Sequence, residues 1–389
     1  HFLHLQQAAA NCGLKVVQDH HGAEQEGISR IEVNTNRGRR ASSARAYLHP
    51  AMKERANLTV LTKAQTTRIL LEGKRATGVE YVRSGRVEQV RAEREVIVCA
   101  GTYASPQLLM LSGIGPADHL REMGIDVVQD LPGVGENLQE HPNLLNIYRA
   151  SGKLGLSRYL RLDRATWSVM RWALFGEGPF AMAGTMANIF MRSRPGLERP
   201  DVQLIAMPVH QHAELWFPFL TRKPVYAFTV RVGILHALSR GWVKLRSANP
   251  LDLPRIRFNM LTEQADLDAM VAAAKFSREL FATEPMSNLV SEELLPGAQY
   301  KSDAELGEAI RNQVEHRHHA CGTCRMGVDD LGVVDAQLRV HGIENLRVAD
   351  ASVMPEDPSG NTNVPTLMIG EKAADLVKGR SLPPAELPL

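Results

Sequence analysis

Apolar and polar positions along the chain follow two different periods. The opening "FLHLQQAAANCG" places its apolar residues at helical spacing, with Gly13 as a stop, and predicts a helix. "SSARAYLHPAMKERA", residues 42–56, reads as a helix capped by Ser42 or Ser43 and broken or kinked at Pro50. The period then shortens. "NLTVLTKA" and "RILLEG" read as strands, and "ATGVEYV" and "RVEQVRAE" read as a hairpin turning at Arg83-Ser84-Gly85. "REVIVCAG" is a continuous apolar run, as expected of a strand buried on both faces of a parallel sheet. "ASPQLLMLSGIG" follows it as a helix with Ser105 as N-cap, Pro106 at the first position and Gly113 as terminator. Strand, glycine turn and helix N-terminus together make a unit that can hold phosphate.

The character changes near residue 150. "PADHLREMG" is a short helix and "VVQDLPGVGENLQEHP" a loop, after which Trp167, Trp172 and Phe175 mark another helix and "GEGPFAMAGT" another loop. "DVQLIAMPV", "YAFTVRVGIL", "GWVKLRSA" and "PRIRFN" read as strands separated by turns, which predicts an antiparallel sheet distinct from the first region. A helix is predicted from Thr262 to about Phe281, with Leu267, Met270, Val271, Ala274 and Phe281 on one face. Ser302 and Glu305 form a capping box for the next helix. "LRVHGIENLRVADASVMP" and "NVPTLMIGEKAADLV" give a strand, a loop and a final helix. No internal repeat or low-complexity tract interrupts this order.

Length and composition narrow the classes. At 389 residues, 44% hydrophobic and 23% charged, the chain suits two globular domains or one large domain with an insertion. A net charge of +2, with no basic stripe interleaved with aromatics, gives no reason to expect nucleic acid. No apolar run is long enough for a transmembrane segment. The four cysteines, Cys12, Cys99, Cys321 and Cys324, are too few and too scattered for a disulfide framework, which points to a reducing compartment. The expected location is the cytoplasm or a peripheral position on a membrane.

The densest chemistry lies in "HHACGTCRMG", residues 318–327, with His316 just upstream. A redox Cys-x-x-Cys sits at a helix N-terminus, but "RMGVDDLGVV" is a poor helix. A zinc site from His316, His319, Cys321 and Cys324 is compositionally possible, yet the spacing matches no common finger or ribbon. No metal is therefore expected, and the two thiols read as fillers of small buried spaces.

Six segments, in order, resemble motifs of the glucose-methanol-choline (GMC) family of flavin-dependent oxidoreductases: "GTYASPQLLMLSGIG", "LPGVGENLQEHP", "SRGWVKLRS", "HHACGTCRMG", "LRVADASVMP" and "GNTNVPTLMIGEKAAD". The resemblance implies an α/β fold, α+β overall: a doubly wound FAD-binding domain plus a substrate domain with an antiparallel sheet. The expected division is residues 1–145 and 326–389 for the flavin part and 146–325 for the substrate part. The family's Gly-x-Gly-x-x-Gly after the first strand is absent, and neither "GIGPADHL" nor "GVGENL" replaces it. The chain therefore reads as N-terminally truncated, its first βαβ unit missing, and FAD binding by this chain alone stands open.

The resemblance also implies roles. Alcohol oxidation needs a base for the hydroxyl proton while the α-carbon hydride leaves for the flavin, and histidine suits it at neutral pH. The family's base matches His319, and its second polar group matches Asn363, which can donate to an alkoxide-like oxygen but cannot act as a base. Val364, Pro365 and Thr366 would aim the N-terminus of the last helix at the flavin. Gly101, Thr102, Asp350 and Ala351, at strand ends, are expected to contact FAD; ordinary strand-to-helix turn chemistry is the other account of these residues. The substrate is expected to be a small-molecule alcohol. The electron acceptor, oxygen or a quinone, is open, as is the choice between dehydrogenase and oxidase. Leu215 to Leu245 holds no Asp or Glu but includes Trp216, Phe217, Phe219, Tyr226 and Phe228, which favours an uncharged primary alcohol over choline without excluding choline. Three other readings remain: a hydroxynitrile lyase of the same fold, a thiol or zinc protein, and an inactive fragment.

Overall fold

The computed structural model describes residues 1–181 and 184–380. The chain forms two compact units, each assembled from separate stretches. One comprises residues 1–58, 142–235 and 261–316; the other comprises 59–141, 236–260 and 317–389, described to residue 380.

The first unit is built on a seven-stranded sheet. Gly27–Ser29, Ala187–Met191, Val202–Met207, Ala227–Ile234, Pro142–Ala150 and Val290–Leu295 lie side by side in that order, and Glu315–His316 also pairs with Pro142–Ala150. Every pairing is antiparallel. Helix Gln264–Ala282 packs on the sheet through the face its periodicity predicts, with Leu267, Met270, Val271, Ala274 and Phe281 all buried. Tyr148 stacks on Phe281 with ring centroids 4.2 Å apart. The capping box of helix Asp303–Gln313 is present: Ser302 accepts from the Glu305 N–H, and Glu305 from that of Ser302.

The second unit holds the parallel pair Val96–Val98 and Leu346–Val348. It also holds the antiparallel sheet of Ala64–Glu72, Arg75–Arg83 and Arg86–Arg91 and the helices Gly101–Leu111 and Asn363–Val377. Its core gathers Ile69, Val98, Leu109, Met110, Ile114, Val333 and Val348. The expected mixed α/β fold, with an antiparallel sheet in one domain, is the one observed.

Several expectations need correction. The unit boundaries differ from 1–145, 146–325 and 326–389. The first 58 residues join the large antiparallel sheet because Gly27–Ser29 pairs with Ala187–Met191. Trp242–Lys244 and Arg255–Arg257 make a separate hairpin in the second unit rather than extending that sheet. "NLTVLTKA" contributes only Ala64 to a strand. Val96–Val98 is covered on one side only, for Val98 is 3% exposed and Ile97 40%. Ser105 is no N-cap: the helix starts four residues earlier at Gly101, and Pro106 lies inside it. No helix among the described residues is long and apolar enough to cross a membrane.

Candidate active site

The stretch that carries His319 has no regular secondary structure, so its backbone is held from outside. Cys321 exchanges both backbone hydrogen bonds with Gln139, and the N–H groups of Cys324 and Met326 donate to Ser352 and Val353 at 2.8 Å each. Pro106 supplies a further tie. Lacking an N–H, it leaves the Thr102 carbonyl without its helical donor, and Thr323 Oγ1 donates to that carbonyl at 2.5 Å. Thr102 Oγ1 in turn donates to Ala320 O at 2.8 Å. The Glu140 carboxylate closes the cradle by accepting the backbone N–H of His319 at 2.9 and 3.1 Å and that of His141 at 2.9 Å. Burial pushes the Glu140 carboxyl up, and these N–H donors pull it back toward the ionised form.

Inside this cradle the imidazole of His319, 8% exposed, is bracketed on both nitrogens. Its Nδ1 lies 2.9 Å from Nδ1 of fully buried His141, with the two rings nearly perpendicular. Asn361 Nδ2 donates to its Nε2 at 2.9 Å. His141 Nε2 lies 3.8 Å from Asp357 Oδ2, within ion-pair range, and Asp357 Oδ1 accepts from the Cys321 thiol at 2.6 Å. Burial drives the Asp357 carboxyl up to about 7.

Because that value exceeds the ordinary aspartate value, the unfolded chain releases this proton first as pH rises. Stability is therefore complete below about pH 4 and falls by a few kcal/mol as pH climbs through about 7. Melting temperatures at pH 5 and pH 8 should differ less in Asp357→Asn than in the parent. Equal differences would remove Asp357 from the cause.

Of the expected catalytic residues, the structure puts His319 at the centre of this network. Asn363 is exposed at the first turn of the final helix, and among the described residues no hydrogen bond joins it to His319. Asn361, two residues earlier, holds that place. Glu140, His141, Asp357 and Asn361 were missed by the reading of the sequence. The Glu-His pair inside "LQEHP" was the available signal, since two titratable residues stand together in a turn-rich segment that matched a family motif.

The expected cofactor residues fall into two groups. Asp350 Oδ2 accepts from the Gly101 N–H at 2.9 Å and from Ser105 Oγ at 2.6 Å, and its Oδ1 accepts from the Ser352 N–H at 2.8 Å, so it caps the turn Ala351–Val353. Both oxygens are thus engaged within the protein, and Asp350 organises the two strand ends rather than offering a free carboxylate. Gly101 sits at φ +82° with open space where a Cβ would stand. The final helix begins with no side-chain cap, and Val364 beside its open N–H groups is 59% exposed. Uncapped donors, an exposed apolar residue and a glycine that admits close approach suit a flat ring with an electron-rich edge. These residues fit FAD.

The thiols belong to packing. Cys321 and Cys324 are separate, buried thiols, and burial holds both well above the usual range, opposite to what a redox or metal-binding thiolate requires. Cys321→Ser with Cys324→Ser is expected to change alcohol-dependent flavin reduction by less than about tenfold, a hydroxyl at 321 keeping the Asp357 acceptor. A loss of 100-fold or more would restore the thiols to the mechanism.

Comparison with known proteins shows the family. Residues 2–143 and 237–370 match the N-terminal and C-terminal parts of the GMC oxidoreductases. The chain is 41% identical over 379 residues to the mitochondrial choline dehydrogenase of Mus musculus, covering 96% of this chain and 62% of that protein. It is equally identical over 377 residues to the oxygen-dependent choline dehydrogenase of Brucella ovis, covering 96% and 68%. Among solved structures, formate oxidase of Aspergillus oryzae superposes with a TM-score of 0.89 at 29% identity, covering 96% of this chain and 69% of that one. Pyridoxine 4-oxidase from Mesorbium loti superposes with 0.83 at 30%, covering 97% and 69%. The chain belongs to the GMC oxidoreductase family. It spans about 62% of the length of the mouse relative.

Proposed function

We propose that this chain carries the proton-handling half of an FAD-dependent enzyme that oxidises a small-molecule alcohol to an aldehyde. Bound FAD would accept the hydride from the alcohol carbon at its N5 atom. His319 takes the hydroxyl proton on Nε2, and the observation that carries this reading is a buried imidazole whose Nε2 accepts from exposed Asn361. Asn363 would hold the substrate oxygen, and the open N–H of Val364, just ahead of Pro365 and Thr366, would face the pyrimidine edge of the cofactor. Gly101, Thr102 and Ala351, at the strand ends that Asp350 organises, would hold the cofactor. Choline, named in two of the relatives, is tested beside uncharged primary alcohols. The electron acceptor is tested as oxygen against a quinone, and the location as cytoplasmic or peripheral on a membrane.

The deciding experiment is anaerobic mixing of the flavin-loaded protein with choline, an uncharged primary alcohol and a hydroxynitrile. Bleaching of the flavin by an alcohol supports the proposal. Cyanide release from the hydroxynitrile without bleaching supports the lyase reading instead. The two asparagines separate in the same assay. Asn361→Ala and Asn363→Ala are each expected to lower the rate of flavin reduction about tenfold, the worth of roughly one hydrogen bond. Only Asn363→Ala should weaken substrate binding, and the reverse pattern would exchange their roles.

A further inference from the structure

His141 is wholly buried beside His319, yet the chemistry proposed above makes no use of it. The contacts around the two rings dictate where their protons sit. Asn361 Nδ2 is a donor only, so Nε2 of His319 presents its lone pair to it, and the neutral ring must carry its proton on Nδ1. That Nδ1–H points at Nδ1 of His141, 2.9 Å away, which must therefore be the acceptor. His141 in turn carries its proton on Nε2, the atom 3.8 Å from Asp357 Oδ2. That oxygen is buried and, among the described residues, makes no hydrogen bond. The three side chains agree on one proton arrangement, and it leaves a lone pair on the nitrogen a base needs.

We infer that His141, backed by Asp357, is a positioning residue that fixes His319 in the Nδ1-protonated tautomer and stabilises the imidazolium formed when Nε2 takes the alcohol proton. The inference rests on His319 being the base. In that step the substrate O–H bond breaks and an Nε2–H bond forms, while the C–H electron pair leaves as hydride to bound FAD. The Nδ1 proton is then shared with His141 Nδ1, whose ring faces the Asp357 carboxylate, so the positive charge spreads toward a negative one. The other groups around Asp357 set the balance: Glu140 favours its protonated form, whereas Arg240 and the Cys321 thiol favour the ionised one. Arg317, whose backbone and charge act on Glu140, completes the set of charged neighbours.

The test uses the full flavin-loaded chain with ¹⁵N-labelled histidine. NMR reads the tautomer and pKa of His319, and stopped-flow reads anaerobic flavin reduction against pH. The parent should show His319 protonated on Nδ1. His141→Phe should lose that tautomer and slow reduction about 10²- to 10³-fold, since a misplaced imidazole proton costs up to about 10⁴ in comparable sites. His141→Asn returns an acceptor near the Nδ1 position and should restore the tautomer, leaving a loss of about tenfold. Asp357→Asn should keep the tautomer and lower the pKa of His319 by about one unit. An unchanged tautomer and pKa in His141→Phe would overturn the inference and leave His141 as packing. If His319→Ala does not slow reduction, the base assignment fails instead, and the NMR result still stands by itself.

Discussion

His319→Ala is expected to slow anaerobic flavin reduction by an alcohol roughly 10²- to 10⁴-fold, the usual worth of a positioned general base. The change should fall on the reduction step itself. His319 is held from its backbone by Glu140 and from its ring by His141 and Asn361, so its removal leaves the surrounding frame intact. Gly101, Asp350 and the start of the final helix do not depend on its side chain, and the flavin spectrum and affinity should stay as in the parent. Some stability is lost, because His141 Nδ1 is left buried without that partner, at about 1–3 kcal/mol. Stopped-flow reduction at saturating alcohol, with flavin affinity measured beside it, separates the two effects. A variant that reduces its flavin at the parental rate would move the base elsewhere.

The parts of this molecule that were legible in the sequence are those in which one period persists. The face of Gln264–Ala282 follows from five apolar positions at helical spacing, and the box of Ser302 and Glu305 from two residues three apart. Arg75–Arg83 and Arg86–Arg91 follow from alternation on either side of a turn. The site is different. Glu140, His141, Asp357 and Asn361 lie in stretches without regular secondary structure, where no period tells which way a side chain points; tertiary hydrogen bonds bring Glu140, His141 and Asn361 to His319, and Asp357 reaches only its partner His141.

The start of Gly101–Leu111 was misread for a related reason. Pro106 ordinarily marks a first turn, but here Thr323 satisfies the carbonyl that the proline leaves open, which lets the helix extend five residues further back. The assignment of 1–58 to the first unit rests on a three-residue strand pairing with a distant one, and local composition carries no trace of that.

Gly135→Ala is expected to be strongly destabilising, although it adds one methyl group and touches no catalytic atom. Gly135 sits at φ +85°, where a side chain alone costs about 1 kcal/mol. An added Cβ would stand 2.1 Å from the carbonyl oxygen of Val243, far inside contact distance. Neither side can yield easily. The Val243 N–H donates to Gly135 O at 2.6 Å, Val243 is fully buried, and the Gly135 N–H donates to Thr323 O at 2.8 Å. Relief requires breaking one of these bonds or moving buried backbone, which puts the expected loss at about 3–5 kcal/mol. The strain also has a direction. Thr323 lies in the stretch that presents His319 and is tied to Thr102, so displacing it should disturb the imidazole as well as the core. Gly73→Ala, also at positive φ but with nothing within 4 Å of the added carbon, is the control and should cost about 1 kcal/mol with flavin reduction unchanged. Urea unfolding of the two variants tests the difference; comparable losses would show that the contact with Val243 relaxes at little cost.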